Sequence, residues 1–289
     1  MDLPIVAGVD GSAASLRAVD WAADEAALRG VPLRLVYAYL WERYEGSSPT
    51  QFLGKPSRKV LAADVVGGAA ERAGRRRAEV KITTEVLSEE PEYALVREGR
   101  GAAALVLGAR GRGGLAEMLL GSVSLTVAAQ ADCPVIVLRD RDDDGQSTTG
   151  RRVVLGVGER GTDSAALRFA VQEAGLRHAP LGAVRAWRCP AHESTDHPLL
   201  SGEPARLHEQ QAADVLEEAL KGVGDDLELS RKAVEGPARK VLLAASHDAG
   251  LLVVGARRTP GHHGLQLGRV AHAVLHHASC PVAVVPERG

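Results

Sequence analysis

The chain repeats itself. Residues 5–39, IVAGVDGSAASLRAVDWAADEAALRGVPLRLVYAY, lie without a gap on residues 153–187, VVLGVGERGTDSAALRFAVQEAGLRHAPLGAVRAW, and Val6, Gly8, Val9, Glu25, Ala26, Leu28, Arg29, Pro32 and Leu33 all recur. Residues 103–138 lie in the same way on 250–285, sharing a Gly-Ala-Arg triplet and the Cys-Pro-Val that opens the last apolar run. Self-similarity on this scale sets the architecture before any single element is assigned. Each copy must be a unit with a core of its own, and 289 residues suffice for two. Between them RDRDDDGQSTTGR, residues 139–151, has the charge and Ser/Thr/Gly content of a linker. The expected division is 1–140, a linker over 141–151, and 152–289.

Within each copy, short apolar or β-branched runs alternate with stretches of helical spacing. Residues 4–9, 34–39, 79–87, 104–108 and 134–138 suit buried parallel strands. Between the first two, Leu16, Val19, Ala22, Ala23 and Ala26 form one stripe of a helix over 12–29. Strands alternating with helices predict an α/β fold, a parallel sheet covered on both faces. Aromatic residues are only 3% of the chain, so the cores must be built from Ala, Val and Leu.

Bulk properties exclude several classes of function. Lys plus Arg number 35 against 37 Asp plus Glu, a formal net charge of -2, which argues against a general nucleic-acid binder. No apolar run reaches the ~18 residues needed to span a bilayer, and the start MDLPIVAGVD has no basic leader pattern, so a cytoplasmic location is expected. Cys133, Cys189 and Cys280 are too scattered for a disulfide framework or a CxxC metal site. His272 and His276 lie four apart near His262, His263 and His277, but no acid or thiol accompanies them at ligand spacing, and solvated helix surface is the expected reading. Arg75, Arg76 and Arg77 end a helical segment, where a cationic run suits the helix dipole or meets a phosphate.

An open parallel sheet binds ligands beyond the carboxyl ends of its strands, where the strand order reverses. After the fourth strand the first copy has Gly108-Ala-Arg-Gly111, nine residues, then Gly121-Ser122. Glycines at 108 and 111 permit a positive φ and a close approach to a polyphosphate. Gly121-Ser122 opens a helix whose free amides favour an anion, and the Ser122 hydroxyl adds a donor. Taken singly, these residues could equally end a strand and cap a helix. In this spacing, at this edge, they favour phosphate binding. The loop lacks the Gly-Lys-Ser/Thr of a Walker motif and does not follow the first strand as GxGxxG does.

The pattern G-2x-G-9x-G-S/T, with Asp10 closing the first strand, resembles the universal stress protein (UspA) superfamily in its tandem-domain form. The resemblance covers nearly the whole chain and is weakest over 41–78 and 190–232. It implies two tandem open five-stranded parallel sheets of order 3-2-1-4-5 with helices on both faces. ATP, with Mg2+ as an accompanying ion, would lie between strands 1 and 4 of the first copy. Asp10 would sit at the adenosine end and Val36 would offer backbone contacts to the base. Gly108, Arg110, Gly111, Gly121, Ser122, Val123 and Ser124 would wrap the ribose and phosphates. Asp10 alone also suits an Asx-type start of the first helix, and both readings stand.

The second copy has Gly158 for Asp10, Arg258 for Gly111 and Arg269 for Ser122, keeping Gly255 and Gly268. It is expected to bind ATP weakly or not at all, and to pack with the first copy as an intrachain pseudo-dimer, with a homodimer as a further option. The expected function is an ATP-binding, regulatory or stress-response protein. With Glu117 the only acid within the loop and no positioned base, fast hydrolysis is not expected. A slow ATPase and a nucleotide-free interaction module are the alternatives.

Overall fold

Runs that are apolar on both faces need cover on both, and here they become interior strands: Ile5, Leu33, Leu105 and Ile136 are each 0% exposed. The computed structural model describes residues 2–40, 58–111, 120–139, 151–158, 164–189, 203–224, 226–257 and 267–287. All but the last position of the expected linker therefore falls outside the described residues, as do Glu117, Arg258, His262 and His263. Two compact units divide the chain, Met1–Asp140 and Arg141–Gly289.

The first unit runs β1 Ile5–Gly8, α1 Ala13–Arg29, β2 Leu33–Ala38, α2 Arg58–Arg76, β3 Ile82–Leu87, α3 Pro91–Gly99, β4 Ala104–Gly108, α4 Ser122–Gln130 and β5 Val135–Leu138. Its strands are parallel in the order β3-β2-β1-β4-β5. The second unit repeats this with β6 Arg152–Gly156, α5 Ala165–Arg177, β7 Leu181–Trp187, α6 Glu203–Ala219, β8 Leu229–Glu235, α7 Ala238–Ala245, β9 Ala249–Arg257, α8 Arg269–His277 and β10 Val282–Glu287. Its order is β8-β7-β6-β9-β10. Each unit is thus the expected 3-2-1-4-5 sheet.

The connections step one way from β1 to β3 and the other way from β4 to β5. Right-handed crossovers therefore put α1 and α2 on one face and α3 and α4 on the other, and the helices pack in those pairs. Ala18, Ala22, Ala23 and Ala26 are all 0% exposed, small enough to let α1 lie close on the sheet. Ser12 caps α1 by accepting the Ser15 amide at 3.2 Å, and Gly30 ends it at φ 65°.

The arginine run at the end of α2 meets carboxylates of α1. Arg76 holds both oxygens of Asp24 on α1 at 3.0 and 2.7 Å, and Arg77 donates to the same carboxylate at 2.7 Å. One turn earlier Arg72 forks onto Asp20. The hydrogen bond that Arg76 donates to Asp24 raises the Arg76 pKa above its ordinary value against the opposing effect of burial. These bidentate pairs clamp α2 to α1 along their outer faces.

Candidate functional site

β1 ends in a tight knot. The Asp10 carboxylate Oδ1 accepts the Ser12 amide at 2.9 Å, with Gly11 between them at φ 79°. Ser15 donates its hydroxyl to the Ser12 carbonyl at 2.9 Å. This is the Asx-type start of α1, and it leaves Asp10 at the mouth of the sheet as well. Its two readings are therefore compatible. The Asp10 Oδ2 atom lies 2.7 Å from where a Cβ on Gly111 would stand, so glycine at 111 makes room for this carboxylate.

Gly108 is required for a different reason. A Cβ there would fall 2.6 Å from the Ala14 carbonyl carbon and 2.7 Å from its oxygen, because the first turn of α1 lies directly on the end of β4. The expectation that Gly108 and Gly111 turn with positive φ is not met. Among the described glycines that conformation belongs to Gly11, Gly30, Gly222 and Gly236. Close approach, rather than left-handed backbone, explains both positions. We expect Gly108→Ala to cost about 1–3 kcal/mol in urea unfolding, since the obstructing atoms are backbone and cannot swing away. An unchanged unfolding midpoint would contradict this packing.

Gly121 closes the loop by donating its amide to the Ala109 carbonyl at 2.7 Å and serves as N-cap of α4. No side chain caps this helix. The amides of Ser122, Val123 and Ser124 precede its first intrahelical bond, Leu125 N to the Gly121 carbonyl at 3.1 Å. The Ser124 hydroxyl is buried and donates to the Gly108 carbonyl at 2.7 Å, so it joins α4 to β4 and only its amide is offered outward. Ser122 is exposed, with its hydroxyl 3.4 Å from Glu92 Oε1 on α3. Val36 is fully buried, and its carbonyl already accepts the Val9 amide at 2.8 Å. The sheet thus engages the carbonyl of a residue whose backbone the resemblance assigned to contacts with the base.

Asp10, Val36, Gly108, Arg110, Gly111, Gly121, Ser122, Val123 and Ser124 all line one cavity of about 460 Å³. It opens at the carboxyl ends of β1 and β4, where the strand order reverses. Further wall residues were not anticipated: Gly8, Val9 and Ser15 beside the knot, Tyr37 and Ala38 beyond Val36, Leu107 on β4, and Pro91 and Leu95 on α3. The α3 pair had a signal in the sequence, an i, i+4 apolar spacing next to the strand ends. Glu92 had none, since its place beside Ser122 depends on how α3 and α4 pack.

A model of the universal stress protein family matches residues 3–139 and again 150–286, which together span nearly the whole chain. The chain belongs to the universal stress protein family. Among its relatives is Universal stress protein Rv2005c of Mycobacterium tuberculosis, 33% identical over 292 residues that cover 98% of this chain and 97% of the relative. The crystal structure of a universal stress protein from Archaeoglobus fulgidus covers 99% of this chain and 98% of its own, with a TM-score of 0.66 and 18% identity, a likeness of fold. A shorter universal stress protein was solved in complex with cAMP; it covers 47% of this chain and 96% of its own, at 30% identity and a TM-score of 0.36.

In the second unit of this universal stress protein the corresponding edge is rebuilt. α5 starts at Ala165, which aligns with Arg17, so it begins one turn later than α1. The Glu287 carboxylate meets the start of this helix, accepting the amides of Ala165 and Ala166 at 3.0 Å each. Its Cγ lies 3.0 Å from where a Cβ on Gly255 would stand. Gly158 replaces Asp10, and Arg269 is the first residue of α8. The His272 and His276 rings stack at 4.4 Å, and no group of three or more metal-ligating side chains gathers among the described residues. Nor is any described helix long and apolar enough to cross a membrane.

Proposed function

We propose that the first unit binds ATP in this cavity and that occupancy, rather than rapid turnover, is its regulatory output in a stress response. One observation carries the reading: nine residues from four separated stretches of sequence, singled out by loop spacing and family resemblance, line a single cavity. Its ~460 Å³ lies within the range of small-molecule sites. The triphosphate would lie against the uncapped amides of Ser122 to Ser124 and the Arg110 guanidinium, where the helix dipole favours negative charge. The nucleoside would lie between Tyr37 and Ala38 on one side and the apolar wall of Pro91 and Leu95 on the other. Asp10 supplies an acceptor for a sugar hydroxyl.

Slow hydrolysis is a second reading, favoured by Glu92. Its carboxylate stands at the phosphate end, 3.4 Å from the Ser122 hydroxyl, where it can orient a water. Calorimetry of the full chain with ATP and Mg2+ tests both readings when ADP release is followed in parallel. One ATP is expected in the first unit, with Ser122→Ala weakening it by roughly three- to tenfold, the loss of one hydrogen bond. No heat and no thermal shift on adding ATP would leave the interaction-module alternative. ADP formation that Glu92→Gln abolishes without changing affinity would establish the ATPase.

A further inference from the structure

The second unit keeps the register of the first and changes the charge at its edge. β6 sets Val153 opposite Leu181 on β7 and opposite Leu251 on β9, the positions that align with Ile5, Leu33 and Ala104, which β1 pairs in the same way. Positions that ring the first cavity therefore recur at the carboxyl edge of the second sheet. There Tyr37 becomes Arg185, Arg110 is matched by Arg257, and Ser122 becomes Arg269, while Asp10 becomes Gly158. Three cations stand where the first unit has one, and a carboxylate is gone.

Among the described residues these three arginines make no ion pair with a carboxylate. Arg257 and Arg269 are exposed. Arg185 donates from Nη1 to the Gly158 carbonyl, which lays its charge over the end of β6, the position Asp10 holds in the first unit. Arg269 is the first residue of α8, where a cation opposes the helix dipole. Register sets Glu287 beside Arg257, but its carboxylate is engaged by the amides that open α5.

We propose that this edge binds an oligophosphate chain and makes no use of a nucleoside. Forked guanidinium donors suit phosphate oxygens, and an anion offsets the positive charge that the aligned positions bring to one sheet edge. The chain can be inorganic or the tail of a nucleotide, and the shared chemistry is the row of phosphates. The full-length protein carrying Gly111→Glu, which closes the first site, is titrated with inorganic tripolyphosphate, with ATP and with adenosine.

One tripolyphosphate per chain is expected, with ATP bound no more tightly and adenosine not bound. Arg269→Ser should weaken it roughly tenfold, and Arg185→Tyr with Arg257→Gln by a similar factor each, the scale of one charge-assisted hydrogen bond. Arg269 is exposed, so its variant reports binding even if Arg185→Tyr folds poorly. Absence of tripolyphosphate binding, or binding unchanged by Arg269→Ser, overturns the proposal, and so does ATP binding well above tripolyphosphate with competition from adenosine. ATP titration of Arg269→Ser with Gly111 intact reads the first site separately, so failure there leaves this proposal standing.

Discussion

Gly111→Glu is expected to weaken ATP at the first unit at least ~100-fold in calorimetry, the scale on which like charges juxtaposed at a binding surface act. A Cβ at 111 would stand 2.7 Å from Asp10 Oδ2, so any side chain displaces the carboxylate that the Ser12 amide holds in place. Glutamate adds a second negative charge where a triphosphate must pass. Gly111 is exposed and has no left-handed φ, so folding should be intact, and an unchanged melting temperature is part of the expected result. Gly111→Ala separates the two causes. It carries the steric displacement without the charge and should cost much less. ATP affinity equal to wild type in Gly111→Glu would mean that the ligand does not use this loop.

Glu25→Ala should be the most damaging single change to stability in the first unit, about 3–5 kcal/mol by urea unfolding. Glu25 is 0% exposed in the middle of the α1 packing face, and it accepts from Arg29 Nε one turn later. Removing the acid takes away the carboxylate to which the little-exposed Arg29 guanidinium donates. The second unit repeats the arrangement with Glu173, also 0% exposed, and Arg177. Glu173→Ala should therefore act alike on the second unit. Replacing both partners, Glu25→Leu with Arg29→Leu, should recover most of the loss, because no charge then remains to desolvate. If the double variant is as unstable as Glu25→Ala, packing volume rather than charge governs the site.

Much of the fold was legible in sequence because it is written locally. The alternation of apolar runs with helical spacing, duplicated at a fixed offset, leaves few arrangements other than two parallel sheets, and strand ends matched expectation to within about three residues. The site was legible in part. Loop spacing and family resemblance selected nine residues that line one cavity, but the roles of several differ from those expected. Gly108 serves α1 packing, the Ser124 hydroxyl ties α4 to β4, and the Val36 carbonyl belongs to the sheet. Each depends on an atom far away in sequence. Arg76 and Arg77 show the same limit, since nothing near them indicates that Asp24, fifty-odd residues earlier, receives both.

By itself, the sequence determined the number of units, the order of strands and helices, and the edge of the sheet at which to look for chemistry. These follow from periodicity and repetition, which neighbouring residues express among themselves. Only the tertiary structure decided that Asp10 abuts Gly111, that Glu92 reaches Ser122 from another helix, and that Glu287 accepts the first amides of α5. Such contacts are set by how helices settle on a sheet. Shifts of an ångström there decide which side chains meet, and no local pattern of residues encodes them.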